Sequence, residues 1–199
     1  MSSYTRQAIM DAFLRLLARK PFKKITVRDI VEECGVNRTT FYYYYQDIYA
    51  IVEDLFAVTL TAYADLLRGE GSEESLRDTS HFVEMNRPAF LSLWDALGHE
   101  QVRKYAYAVT DGATREFIAR RAAGLTVSEQ ELNTVFLLVR EALFGAVYLF
   151  LRGDLPDGAG ATLMRSTHGL TRRMLTSLAA EPAEEKEDNA TPGEVKEDL

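Results

Sequence analysis

A chain of 199 residues that is 47% hydrophobic and 27% charged has ordinary globular composition, which excludes wholesale disorder and allows one domain or a small domain joined to a medium one. No apolar run approaches the length needed to cross a bilayer, and the opening Met1-Ser2-Ser3-Tyr4-Thr5-Arg6-Gln7 lacks the apolar core of an export signal. The lone cysteine, Cys34, cannot form an internal disulfide, so a reducing cytoplasm is the expected compartment.

The net charge of −7 opposes contact with a polyanion when taken over the whole chain, but it is unevenly spread. Residues 181–199 hold eight acids and two lysines, a net of −6, whereas residues 1–47 hold eight Lys/Arg against five Asp/Glu, a net of +3. The amino-terminal segment is mildly basic once the tail is set aside.

In chain order, Ile9, Phe13, Leu16 and Leu17, with Ala12 beside them, repeat at helical spacing. Lys20, Lys23 and Lys24 follow, a small basic cluster that reads equally as a solvated loop or as salt-dependent attraction for a phosphate backbone. Val27, Ile30, Val31 and Cys34 then give i, i+3, i+4, i+7 spacing, preceded by Thr26 with Asp29 three residues on and followed by Gly35: a capped start and a glycine stop around a short helix. Asn37 is placed to cap a second short helix beginning near Arg38.

A long apolar-rich helix is expected from about Ile48 to Leu67, ended by Gly69-Glu70-Gly71-Ser72. Further helices are expected over Glu73–Met85, from Pro88 through Leu97, over Glu100–Ala123, from Ser128 with its Glu131 partner through Leu151, and over Ala159–Leu178. With no strand alternation and no repeat, the chain reads as all-α, about nine helices. We divide it into a three-helix helix-turn-helix domain at 1–52, a helical bundle at 53–180 and a disordered acidic tail at 181–199.

The two short helices joined by Gly35-Val36-Asn37 make a candidate helix-turn-helix. Its first helix buries Val27, Ile30, Val31 and Cys34, and its second must bury one side and present small polar and aromatic donors on the other. Phe41 and Tyr45, at i, i+4, suit the buried side. Arg38, Thr39, Thr40, Tyr42, Tyr43 and Tyr44 remain for the outside, since a short helix cannot bury four consecutive tyrosines. Their chemistry suits duplex DNA: tyrosine hydroxyls donate to phosphates, threonine contacts a thymine methyl or base edge, and arginine reaches guanine.

At these residues the chain resembles the tetracycline-repressor (TetR/AcrR) family. The likeness rests on Phe22-Lys23-Lys24-Ile25-Thr26-Val27-Arg28-Asp29-Ile30-Val31, Cys34-Gly35-Val36, Arg38-Thr39-Thr40-Phe41-Tyr42-Tyr43-Tyr44-Tyr45 and Asp47, about 50 residues with the preceding helix. The resemblance implies a homodimer with one recognition helix per subunit in successive major grooves of a pseudo-palindromic operator. It also implies a carboxy-terminal domain for dimerisation and for a small hydrophobic or aromatic effector. By position it implies that Thr26 and Arg28 contact phosphate or flanking bases, that Arg38, Thr39, Thr40 and Tyr43 reach bases or nearby backbone, and that Tyr42 and Tyr44 bind phosphates. Gln46 and Asp47 would cap the next helix. The lysine usual after the Asp47 position is Ile48 here, which removes one phosphate contact; Tyr49 or Lys24 is placed to compensate.

The bundle says less. Its aromatics either line an effector cavity, as the resemblance implies, or pack a core; Trp94, Tyr105 and Tyr148 are the expected pocket residues, because large rings with a polar handle need a partner when buried. The resemblance implies that the helices at 128–151 and 159–178 form the dimer interface; Leu143 to Leu151 is apolar almost all round, so the first of them must be covered on more than one side. His81, His99 and His168 are scattered and imply no metal site. No cofactor and no membrane partner is implied, and no nucleophile–base pair, paired-carboxylate motif or phosphate-cradling loop suggests an enzyme. The reading is a cytoplasmic regulator, most simply a repressor released from its operator by a small molecule; the alternative is a regulator whose bundle senses a protein or is ligand-independent.

Overall fold

The computed structural model describes residues 2–155 and 159–180, with side chains described over 4–155, 166–167 and 169–180. Among these residues there are nine helices and no strand: α1 (Ser2–Leu17), α2 (Val27–Cys34), α3 (Arg38–Tyr44), α4 (Ile48–Arg68), α5 (Glu73–Met85), α6 (Arg87–Leu97), α7 (His99–Ala122), α8 (Glu129–Arg152) and α9 (Ala159–Ala180), with a short 3-10 turn at Phe22–Lys24. The expected acidic tail at 181–199 lies outside the described residues.

Local chemistry places the helix ends. The Thr26 hydroxyl accepts from the Asp29 amide at 3.2 Å while the Asp29 carboxylate accepts from the Thr26 amide at 2.7 Å, so two amides otherwise without partners are satisfied reciprocally. Gly35 ends α2 in the left-handed region, φ 72°, where a side chain would be strained. Asn37 accepts from the Thr40 amide at 2.7 Å and Asp47 from the Ala50 amide at 2.9 Å, starting α3 and α4. Ser128 and Glu131 form a second reciprocal cap at the start of α8.

One core begins in the amino-terminal helices. Ile9, Phe13 and Leu17 of α1, Ile30 of α2, Phe41 of α3 and Ile51 and Leu55 of α4 are buried together, and the same cluster continues into Phe90, Leu93 and Trp94 of α6 and Phe144 of α8. A second core gathers Ala64 and Leu67 of α4, Phe117 and Ile118 of α7, Val135, Phe136 and Val139 of α8, and Leu175 of α9. α4 therefore contributes to both. It runs unbroken past residue 52, where the sequence reading divides the chain, and Val52 and Leu55 lie in the same cluster.

α8 corrects one expectation. Its 24 residues have a mean hydropathy of 1.8 over the most apolar window, long and apolar enough by length and composition to cross a membrane, although no such run is expected from the sequence reading. The reason is that α8 carries apolar residues on two sides. Val135, Phe136, Val139 and Phe144 are buried, whereas Leu137, Leu138, Val147 and Leu149 are exposed.

Candidate nucleic-acid interface and adjoining cavity

The helix-turn-helix is anchored from below. Phe41 and Tyr45, one turn apart, are buried, with ring centroids 6.1 Å apart. The Tyr45 hydroxyl donates to Asp54 Oδ2, and Arg6 donates to both oxygens of the same carboxylate, through Nε at 2.7 Å and through Nη2. Asp54 is itself buried. A buried carboxylate is costly without such partners, so this cluster ties α1, the end of α3 and α4 together. Burial, and then the neighbouring Asp54 carboxylate, raise the Tyr45 phenol above its ordinary range.

With that side buried, α3 turns Arg38, Thr39, Tyr42 and Tyr43 outward, Tyr42 at 56% and Tyr43 at 79% exposure. Thr40 and Tyr44 are half-buried. Tyr44 meets Tyr43 edge-on at 5.0 Å and packs partly against the core. The four tyrosines thus divide into one inside, one at the margin and two outside.

The basic residues divide as well. Arg15 and Arg19 both pair with Glu33, Lys20 with Asp29 at 2.7 Å, Arg28 with Glu32 at 2.7 Å, and Arg6 with Asp54. Of the eight Lys/Arg in residues 1–47, this leaves Lys23, Lys24 and Arg38 outside any ion pair among the described residues. Lys20 is therefore not part of a free basic cluster, whereas the exposed Lys23 and Lys24, in the turn before α2, and Arg38, opening α3, are. Thr26 is exposed, but its hydroxyl and amide hydrogens both go to the Asp29 carboxylate, at 2.6 and 2.7 Å, so in this arrangement it has no donor left for a phosphate. Ile48 is half-buried against the core. Tyr49 is half exposed and meets Phe22 edge-on at 5.5 Å. Asp29 is held at about 2, below its ordinary value, by Lys20 first and then by the Thr26 hydroxyl and amide.

Beyond Asp54, the inner face of α4 meets a cavity of about 180 Å³ whose walls also include α5, α6, α7 and α8. Phe56, Tyr63, Trp94, Tyr107, Arg140 and Phe144 are among its lining residues. Of the expected pocket residues, Trp94 lines this space. Tyr105 and Tyr148 stand behind it: Tyr105 stacks on Phe56 at 5.4 Å, and Tyr148 lies against Trp94 at 4.7 Å. Tyr63, Tyr107 and Arg140 were not singled out by the sequence reading. Only side-chain packing between three helices turns them to one space, although Arg140, a charge inside the apolar run of α8, was the available signal. Among the described residues no group of three metal-ligating side chains comes together.

A short helix buried through Phe41, capped by Asn37 and presenting arginine, threonine and tyrosines, is the reading head of a helix-turn-helix DNA-binding regulator. Residues 9–55, from the first buried residue of α1 to Leu55 of α4, match the family model described as bacterial regulatory proteins, tetR family, so this amino-terminal quarter of the chain has that family's DNA-binding domain. The chain is also similar to the solved structure of the dihydroxyacetone kinase operon activator DhaS, with a TM-score of 0.63 and 15% identity, over 87% of this chain and 97% of that one. At that identity the likeness is one of fold. No curated protein matches the chain.

Proposed function

We propose that the protein is a homodimeric repressor that binds a pseudo-palindromic operator and is released by a small hydrophobic or aromatic molecule. The observation that carries the DNA half is the outward set on α3, Arg38, Thr39, Tyr42 and Tyr43, over the buried Phe41 and Tyr45. Arg38, Thr39 and Tyr43 are assigned to bases and Tyr42 to phosphate, with Thr40 and Tyr44 at the margin of the contact. Lys23 and Lys24 supply attraction to the backbone. Thr26 and Arg28 lie beside it and act only if DNA displaces their present partners, Asp29 and Glu32. An operator places the site of action in the cytoplasm.

Dimerisation is assigned to α8 and α9. Leu138, Ala142, Gly145 and Leu149 repeat at helical spacing on the exposed side of α8, a side chain added at Gly145 would meet nothing within 4 Å, and Leu170 of α9 is exposed too. Such an apolar stripe with a small residue at its centre suits close approach of a second copy.

The division into residues 1–52 for DNA and 53–180 for ligand and dimer is functional, with α4 shared. α4 holds Asp54 in the anchoring cluster and Phe56, Thr59 and Tyr63 at the cavity. An occupant that fits the cavity better with α4 displaced would shift the separation of the two reading heads, and it can do so only by its difference in affinity for the two states. The cavity favours a small molecule over a protein as the signal.

Selection of bound DNA from a random library tests the proposal. The expected product is a two-fold symmetric consensus with half-sites one helical turn or a multiple of it apart. An asymmetric consensus would overturn the dimeric reading, and no enrichment would overturn sequence-specific recognition.

A further inference from the structure

We propose that the cavity takes a neutral, largely apolar molecule, about one aromatic ring with a short side chain, whose accepting oxygen is received by the Tyr63 hydroxyl, with Nε of Arg140 as the second free donor on the cavity wall. This rests on the ligand-binding reading above and gives it a chemistry. The size follows from the 180 Å³ volume, a little above the roughly 150 Å³ that holds a benzene in a protein core. The apolar character follows from walls built of Phe56, Leu60, Trp94, Leu143 and Phe144.

The polar groups define the rest. Several lining hydroxyls are already committed. Thr59 donates to the Leu55 carbonyl at 2.7 Å, Thr110 to Ala106 at 2.9 Å, Thr114 to Thr110 at 2.9 Å, and Ser80 to Leu76 at 2.8 Å. Their hydrogens serve the helices on which they sit. By contrast, the Tyr63 hydroxyl and Arg140 Nε, on side chains that line the cavity, are buried without a hydrogen-bond partner; the Tyr107 hydroxyl faces the Glu141 carboxylate, and Asp111 Oδ1, a buried acceptor without a partner, belongs to a residue that does not line the cavity. Buried polar groups are normally paired, and unpaired ones are costly unless something completes them. Tyr63 and Arg140 both offer hydrogens, so the missing partner is an acceptor.

The charge of the acceptor follows from the ion pairs around Arg140. Its Nη1 lies 3.5 Å from Asp111 and its Nη2 3.1 Å from Glu141, and Arg103 lies 4.0 Å from the same Glu141. Two cations face two carboxylates. The guanidinium carbon lies over the Tyr107 ring, 4.1 Å from its centre. A ligand carboxylate would find Arg140 already neutralised and two carboxylates close by; a ligand cation would meet the guanidinium itself. A carbonyl oxygen incurs neither cost.

Trp94 is the chain's one tryptophan and lines the cavity, so its fluorescence reports occupancy. The full chain is titrated with four probes of one skeleton: 4-phenylbutan-2-one, n-butylbenzene, 3-phenylpropanoate and 3-phenylpropylammonium. The ketone is expected to bind about tenfold or more tighter than the other three. Tyr63→Phe is expected to weaken the ketone about five- to tenfold, to leave butylbenzene unchanged, and not to lower the melting temperature, because it removes an unpaired hydroxyl. Tightest binding by phenylpropanoate or by the ammonium would overturn the neutral assignment. Equal binding of ketone and butylbenzene, or equal loss of both in Tyr63→Phe, would overturn oxygen recognition, and binding of none of the four would overturn the cavity as a site for this class. Affinity for the selected DNA is measured alongside: cavity binding that leaves it unchanged supports this site while overturning ligand release.

Discussion

At the residue scale, the reading head depends on which tyrosine goes inside. Tyr45 is buried because it lies one turn beyond Phe41 and finds a hydroxyl partner in Asp54. Tyr42 and Tyr43 have neither, and face solvent. Phe41→Ala is expected to cost about 3–5 kcal/mol by core truncation, read as a lower midpoint in urea denaturation, and to abolish DNA binding through unfolding. Tyr42→Ala, at an exposed position, is expected to weaken binding of the selected DNA while leaving that midpoint within about 0.5 kcal/mol. A large loss of stability in Tyr42→Ala would place the ring in the core. The split between Phe41 and the outer tyrosines was legible from spacing alone, because a helix of this length has one buried face. The half-buried state of Tyr44 was not, since it depends on where α1 and α4 reach.

At the element scale, α2 is held by its amino-terminal cap. Asp29 serves the Thr26 amide and hydroxyl and the Lys20 ammonium at once, which is why its pKa is lowered to about 2. A carboxyl group whose folded pKa lies below its ordinary value stabilises the fold most at pH above that ordinary value, and loses the contribution as pH falls toward the folded value. Stability is therefore expected to decline between pH about 5 and 2, and the decline to be shallower in Asp29→Asn, measured by urea denaturation across that range. Thr26→Ala is expected to cost about 1 kcal/mol whether or not DNA is present. The Thr26–Asp29 spacing announced this cap in the sequence. Capture of Lys20 did not announce itself, because it comes from across a turn and depends on how α1 and α2 pack. That capture is what reduces the expected lysine cluster to Lys23 and Lys24.

At the scale of the whole molecule, α4 and α8 each serve two masters. α4 links the anchoring cluster to the cavity wall, and α8 covers the second core while leaving Leu138, Ala142 and Leu149 outside, with the half-buried Gly145 between them. If that stripe is the dimer contact, Leu138→Glu combined with Leu149→Glu is expected to give a helical monomer by light scattering, with unchanged circular dichroism and markedly weaker binding to a two-half-site operator. A dimer that survives both changes would move the interface elsewhere.

The sequence by itself determined the all-α class, the helix ends at Thr26, Gly35, Asn37 and Ser128, and the inward turn of Phe41 and Tyr45 against the outward one of Arg38, Thr39, Tyr42 and Tyr43. These follow from periodicity and capping, which act over three or four residues. Tertiary structure alone decided that Asp54 anchors Tyr45 and Arg6, that five of the eight amino-terminal cations are neutralised, and that Tyr63 and Arg140, rather than Tyr105 and Tyr148, line the cavity beside Trp94. Each of these is a meeting of side chains from separate helices, and spacing within one helix carries no information about what faces it.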